Sequence, residues 1–331
     1  MQVFPFAEQF GQVRVIDSAY FPVPRVMTCV RTSGLVAWAD GLPPPAGGGI
    51  GDERVATERA QGDTASRHFS GEAVPMPTFK SNGFEIHYVV EGSGPSIVLV
   101  HGFASSLKGN WRATGVIDAL IASGRQVIAL DCRGHGESEK PHDPDDYSGT
   151  KMPDDVSGLM DYLEISSADL MGYSMGGGIA ASLLVRHPNR FRTVILGGVG
   201  DAVLSGGRGR AGSDAIAKGL EAPDAGSVTD AVARSFRVFA ESSGNDLLAL
   251  AAIQRSTRGG FDPARLGVAI CPVMVIVGEQ DTLIGSADTL AATIPGAWYV
   301  KVPGDHITAL NGPVYRNEVV AFLERASPVR V

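Results

Sequence analysis

The sequence has no apolar run long enough to cross a bilayer as a helix, and it is short of positive charge. Against 36 aspartates and glutamates stand 28 lysines and arginines, a formal net charge of −8. The first absence argues against a membrane protein built of spanning helices. The second argues against nucleic acid or an anionic membrane as partner, since both are recognised through clustered lysine and arginine. Three cysteines, Cys29, Cys132 and Cys271, cannot all pair. Two of them fall on expected core strands or their ends, where a thiol behaves as a small hydrophobe. That suits a reducing compartment, and no basic segment followed by an apolar one opens the chain as in a signal peptide, so a cytoplasmic location is expected. No internal repeat and no motif for a metal or an organic cofactor is present. What remains, 44% apolar and 19% charged residues, is the composition of a soluble globular chain with a large core, expected as a monomer or homodimer.

Chemistry is concentrated at Gly172-Tyr173-Ser174-Met175-Gly176, which separates the apolar run Ala168–Met171 from the small-residue stretch Gly177–His187. A serine becomes a useful nucleophile when a tight strand-to-helix turn holds its hydroxyl clear of the sheet, beside a base and beside amide donors. Gly172 and Gly176 keep side chains out of that turn, and Gly177, Gly178 and Ala180 are expected to let the following helix lie close to the sheet. An elbow of this kind is followed along the chain by an acid and then a histidine. Only His187 and His306 lie downstream. His187 ends the helix that begins at the elbow, several turns from Ser174. His306 follows the apolar run Ala297–Val302 and the turn Pro303-Gly304-Asp305, and is the expected base. Asp281, just past the β-branched run Val273–Val277, is the expected acid, with Glu279 and Asp305 as rivals. The strand Val98–Val100 running into His101-Gly102-Phe103 supplies a loop for an oxyanion hole, with the amides of Phe103 and Met175 as donors. His101 precedes the serine and is read as shaping that loop.

These pieces, His101-Gly102-Phe103, then Asp131-Cys132-Arg133-Gly134-His135-Gly136-Glu137-Ser138, then the elbow, Asp281 and His306, occur in the order of the α/β-hydrolase superfamily, which residues 78 to 325 resemble. The likeness is to the branch with a serine nucleophile, esterase- and lactonase-like. It implies an α/β fold: a mostly parallel, doubly wound sheet flanked by helices, with a small helical cap. It also implies that the Asp131–Ser138 block is a structural turn, His135 included. A serine at the elbow argues against the haloalkane dehalogenase and epoxide hydrolase branches, which carry aspartate there. The implied activity is hydrolysis of a small carboxylic ester through an acyl-enzyme. Lactone hydrolysis, carbon–carbon bond hydrolysis and cofactor-free perhydrolysis use the same parts. A ligand-binding receptor with vestigial activity is the alternative of another class.

Residues 1–75 read differently from the rest. Gly41-Leu42-Pro43-Pro44-Pro45-Ala46-Gly47-Gly48-Gly49 is linker composition, and residues 52–68 show no apolar period, so a poorly structured extension is expected. Met76 stands where a compact domain would open its first strand, which raises the reading that the extension lies upstream of the natural start. The hydrolase domain is expected over 76–331, with strands at Phe84–Val90, Ile97–Val100, Val127–Leu130, Ala168–Met171, Thr193–Leu196, Val273–Val277 and Trp298–Val302. The spacing of Val156, Leu159, Met160 and Leu163 predicts a helix over Asp154–Glu164, with Asp154 and Asp155 at its acidic start. A cap is expected at about 201–268, with Val228, Val232 and Phe236 on one helical face and a mobile entrance loop over Ser205–Gly212. Trp111 and Tyr173 are candidate pocket walls, Trp111 equally able to be core. Lys108 and Asn110 are read as solvated loop residues.

Overall fold

Short β-branched runs alternating with helices build a sheet buried on both faces. The computed structural model describes residues 76–205, 212–259 and 261–329, so the expectations for residues 1–75 and for most of the 205–212 loop fall outside the described residues. Eight strands, β1 (Thr78–Ser81), β2 (Phe84–Glu91), β3 (Ser96–Val100), β4 (Gln126–Leu130), β5 (Ala168–Tyr173), β6 (Phe191–Gly197), β7 (Val273–Gly278) and β8 (Trp298–Val302), lie in the order β1-β2-β4-β3-β5-β6-β7-β8. The first two pairings, β1 with β2 and β2 with β4, are antiparallel and the rest parallel.

Alternation along each strand separates two apolar layers. Val98 and Val100 of β3, with Val273, Val275 and Val277 of β7, face the helices α2 (Lys151–Tyr162), α3 (Met175–Arg186) and α7 (Ala287–Thr293). Ile97, Leu99, Met274 and Ile276 face α1 (Val116–Ala122) and α8 (Pro313–Ala326). From β3 the chain moves to one side to form β4 and then to the other to form β5. Ligands collect at the carboxyl ends of strands flanking such a reversal. Pairing of Val100 with Gly172 brings the loop after β3 directly beside the elbow after β5.

The expected acidic helix start needs correcting. α2 begins three residues earlier, at Lys151, and Asp155 is not an exposed terminal charge. It is buried, taking Arg133 Nη2 at 2.7 Å and Ser81 Oγ at 2.6 Å. The Asp131–Ser138 turn is likewise held by buried polar bonds. Asp131 accepts from His87 Nδ1 (2.8 Å), Leu107 N (2.8 Å) and Glu137 N (3.0 Å), tying three segments to one carboxylate.

Among the described residues, three α-helices lie between β6 and β7: α4 (Ser213–Glu221), α5 (Ala231–Ser242) and α6 (Leu247–Arg255). Asp230 caps α5 by accepting from Ala233 N at 2.8 Å, and Asp246 caps α6. Arg237, buried on α5, donates through Nη1 to the carbonyls of Gly219, Leu220 and Ala222 at 3.0, 3.0 and 2.6 Å. A cation on the unpaired carbonyls at the end of α4 satisfies acceptors the helix cannot satisfy itself. Val228, expected on one face with Val232 and Phe236, lies before α5 and outside its helical register.

His101 and His135 are fully buried, edge to face at 5.1 Å. Each donates through Nδ1, to Gly102 O at 2.8 Å and Arg133 O at 3.1 Å. Each accepts through Nε2, from Cys132 N at 2.9 Å and Ala104 N at 3.1 Å. That pattern requires the neutral ring, and both serve as loop braces. Burial lowers both pKa values, that of His135 to about 3, with the neighbouring His101 adding to the effect. An unfolded histidine takes up a proton near pH 6.5 while the folded one stays neutral. The stability these rings contribute is therefore complete above that pH and lost as pH falls, for His135 on the order of 1 kcal/mol per pH unit down towards its folded value. Chemical denaturation of the wild type between pH 6.5 and 4 should show this slope, and His135→Gln, which keeps an acceptor, should show a shallower one. Equal slopes would contradict the neutral assignment.

Candidate active site

Ser174 joins β5 to α3 with φ 54° and ψ −113°, a conformation that costs a side-chain-bearing residue about 1–3 kcal/mol and persists only where its surroundings impose it. Here they do. Ser174 N donates to Gly197 O at 2.8 Å, and Gly178 N donates to Ser174 O at 3.1 Å. A Cβ on Gly172 would lie 2.0 Å from Gly176 O, and one on Gly176 would lie 2.0 Å from Val100 O. Close approach of helix to sheet also needs Gly177, whose Cβ would meet Val199 at 2.8 Å. Gly178 is different: a Cβ there meets nothing within 4 Å, so its expected role in packing is corrected.

His306 reaches the site from the loop after β8. Its Nε2 lies 2.9 Å from Ser174 Oγ and its Nδ1 2.7 Å from Asp281 Oδ2. The Asp281 side chain is wholly shielded from solvent, and its other oxygen accepts from Leu283 N at 3.0 Å. The rival acids are elsewhere. Glu279 is exposed. Asp305 accepts from Thr308 N at 2.8 Å and Ile307 N at 3.0 Å, and these bonds, with the Thr308 hydroxyl, hold its carboxyl below the usual range. Gln280, not anticipated, accepts from Gly304 N at 2.8 Å and so clamps the two loops that carry Asp281 and His306. Tyr173, expected as a pocket wall, also acts on the histidine loop. Its hydroxyl donates to His306 O at 2.6 Å, and the rings lie 5.5 Å apart. Burial pushes the phenol pKa up, so it stays a donor. His187 caps the far end of α3, away from Ser174.

On the other side of Ser174 lies the loop after β3. A Cβ on Gly102 would sit 3.3 Å from Ser174 Cβ. Asn110, read from sequence as solvated, is half-buried, and its Oδ1 accepts from Gly102 N at 2.7 Å. Asn245, in the turn between α5 and α6, donates from Nδ2 to Ala104 O at 2.8 Å. Ala104 itself has φ 57°, so the residue after Phe103 is braced from His135 below and Asn245 above. Met175 is the first residue of α3, and its N–H therefore has no acceptor within the helix. Trp111 requires correction as a pocket wall. It is fully buried in the layer with Leu107, Ile117 and Leu120, and its four-residue spacing from Leu107 was the helical signal for core.

Two cavities meet at Ser174. The smaller, about 120 Å³, runs along α3 past Met175, Gly178, Ile179 and Ser182, with Val199 and Phe261 opposite. The larger, about 320 Å³, is lined by Phe103, Asn110, Tyr173 and His306, with Phe236 and Phe239 of α5 above. Among the described residues no group of three or more His, Cys, Asp or Glu side chains could hold a metal ion. The site thus joins a hydroxyl, an imidazole and a shielded carboxylate in line, between two largely apolar chambers.

The model of the α/β hydrolase fold family matches residues 95–205. The chain is 40% identical over 109 residues to the 2-hydroxymuconate semialdehyde hydrolase of Pseudomonas sp. (strain CF600), covering 32% of this chain and 37% of that one. It is 35% identical over 114 residues to an epoxide hydrolase of Caballeronia sordidicola, covering 34% of each. These matches span little more than a third of the relatives' own length. Among solved structures, the enol-lactonase of Burkholderia xenovorans LB400 superposes with a TM-score of 0.60 at 27% identity, over 75% of this chain and 99% of that one. A meta-cleavage product hydrolase of Pseudomonas fluorescens IP01 gives 0.59 at 25% identity, over 76% and 98%. With its sheet order, the strand–serine–helix elbow and these likenesses together, the chain has the α/β-hydrolase fold.

Proposed function

We propose that the protein is a serine hydrolase that cleaves a small carboxylic ester through an acyl-enzyme intermediate. The observation that carries this reading is His306 bridging Ser174 Oγ and Asp281, at 2.9 and 2.7 Å on its two ring nitrogens. Ser174 attacks the carbonyl carbon as His306 Nε2 takes its proton, and Asp281 fixes the tautomer and stabilises the imidazolium. The amides of Phe103 and Met175 receive the negative charge that develops on the carbonyl oxygen. His306 then returns the proton to the departing alcohol, and water repeats the sequence on the acyl-enzyme. Since His306 must reach the leaving group, the alcohol belongs in the larger cavity that His306 lines, and the acyl group in the smaller one along α3.

The 2-hydroxymuconate semialdehyde hydrolase and the enol-lactonase among the similar proteins favour a second reading, in which the same residues act on a lactone or a carbon–carbon bond. The acidic charge and the free thiols of Cys132 and Cys271 support a cytoplasmic enzyme acting on a small molecule, without nucleic acid or membrane as partner. Among the described residues no helix is long and apolar enough to cross a membrane.

Turnover of 4-nitrophenyl acetate and covalent labelling of Ser174 by phenylmethylsulfonyl fluoride are expected. Ser174→Ala should lower kcat/KM on the order of 10⁴-fold or more. Labelling elsewhere, or turnover surviving in the variant, would overturn the assignment, while binding without turnover would favour the receptor. A panel of esters, enol-lactones and dienolic diketones run against both proteins separates the substrate classes. Tyr173→Phe removes one hydrogen bond to the histidine loop. It should reduce kcat roughly tenfold with KM little changed, and an effect confined to KM would make Tyr173 a substrate contact instead.

A further inference from the structure

Two turns along α3 from the nucleophile, Ser182 lines the smaller cavity, and its hydroxyl is buried at the wall with no hydrogen-bond partner. Serines inside helices ordinarily bond a carbonyl three or four residues back. Ser235 does so on α5, donating to Ala231 O at 2.9 Å, and Ser157 on α2 donates to Asp154 O at 3.2 Å. Ser182 does not, although a buried polar group without a partner calls for an explanation.

Gly178 supplies an independent observation. It stands on the same helix face midway between Ser174 and Ser182. Glycine is unfavourable inside a helix, and neither usual reason for it applies here. Its φ is not in the left-handed region, and an added Cβ would meet nothing within 4 Å. Its effect is to leave the wall of the cavity bare between the nucleophile and the Ser182 hydroxyl. The remaining wall is mainly apolar, with Met152, Ile179, Val199, Val203 and Phe261, beside Tyr147 and Arg258, and among the described residues no acid faces it.

We propose that Ser182 is a specificity-determining residue for an acyl group that carries an oxygen at its far end. The acyl chain lies over Gly178, and its hydroxyl or keto oxygen pairs with Ser182 Oγ, on the order of 10 Å from the scissile carbonyl, the rise of α3 over that stretch. The substrate class is thus an ester of an ω-oxygenated acid rather than of a plain fatty acid. This rests on Ser174 being the nucleophile with the acyl group on the α3 side.

The test compares 4-nitrophenyl hexanoate and octanoate with their ω-hydroxy counterparts. The wild type should prefer the hydroxy ester of matching length, and Ser182→Ala should lower the hydroxy-to-plain ratio of kcat/KM roughly tenfold, the loss of about one hydrogen bond. Ser182→Thr should restore part of it. Gly178→Leu should depress both long esters relative to acetate, with circular dichroism checking the fold of each variant. A second arm is independent of turnover: calorimetric titration of 6-hydroxyhexanoate into the Ser174→Ala protein, with and without Ser182→Ala, should show roughly tenfold weaker binding in the double variant. An unchanged ratio alongside wild-type turnover of acetate overturns this inference and leaves the hydrolase reading standing. No acetate turnover by the wild type fells that reading, and the titration then decides for or against Ser182 alone.

Discussion

Three backbones meet at the rim of the sheet with no side chain between them: the end of β3, the end of β5 and the start of α3. The 2.0 Å clearances at Gly172 and Gly176 mean that any larger residue would push Val100 away from the elbow or open the turn. Every other feature of the site is measured from this contact. It sets the unusual dihedrals of Ser174, aims its hydroxyl at the loop after β8, and brings the start of α3 against the end of β3. The hydrophobic layers above and below make the strain sustainable, because the strands concerned are locked on both faces.

Around that contact the protein spends polar groups on shape. His87, His101, His135, Asp131, Arg133 and Asp155 are all buried, and none touches the proposed reacting atoms. His101, His135, Asp131 and Arg133 satisfy main-chain groups in turns that have no ladder to join, and His87 and Asp155 in turn hold Asp131 and Arg133. Asp131 alone accounts for two amides and an imidazole. Such a net is rigid when complete and costly when any member is missing. It fixes the loop that carries the amide of Phe103 far better than apolar packing could.

Residues whose signal is local were legible in the sequence. β7 reads as a continuous β-branched run because it is buried on both faces. The elbow reads from its glycines, and His306 from its position after the last strand. β1 did not, because four residues with only Phe79 and Ser81 turned inward carry too little period. Asp155 was mistaken for a helix-end charge because its partners, Arg133 and Ser81, are 22 and 74 residues away. The same reason hid Asn110, Gln280 and Asn245, ordinary polar residues whose only mark is a main-chain amide or carbonyl waiting for them in another loop. Trp111 looked like a wall because it follows the oxyanion loop in sequence, but one helical turn rotates it to the opposite layer.

Asn245 has a wider consequence. It lies in the turn between α5 and α6, yet its bond is to the carbonyl of Ala104, on the loop carrying the amide of Phe103. Arg237 ties α5 to the end of α4 through three carbonyls, so these helices resist bending separately. A swing of this roof that admits a molecule must then tug on the floor beneath it. On the proposed reading of the Phe103 amide as an oxyanion donor, the seating of the roof and the aim of that amide are one adjustment.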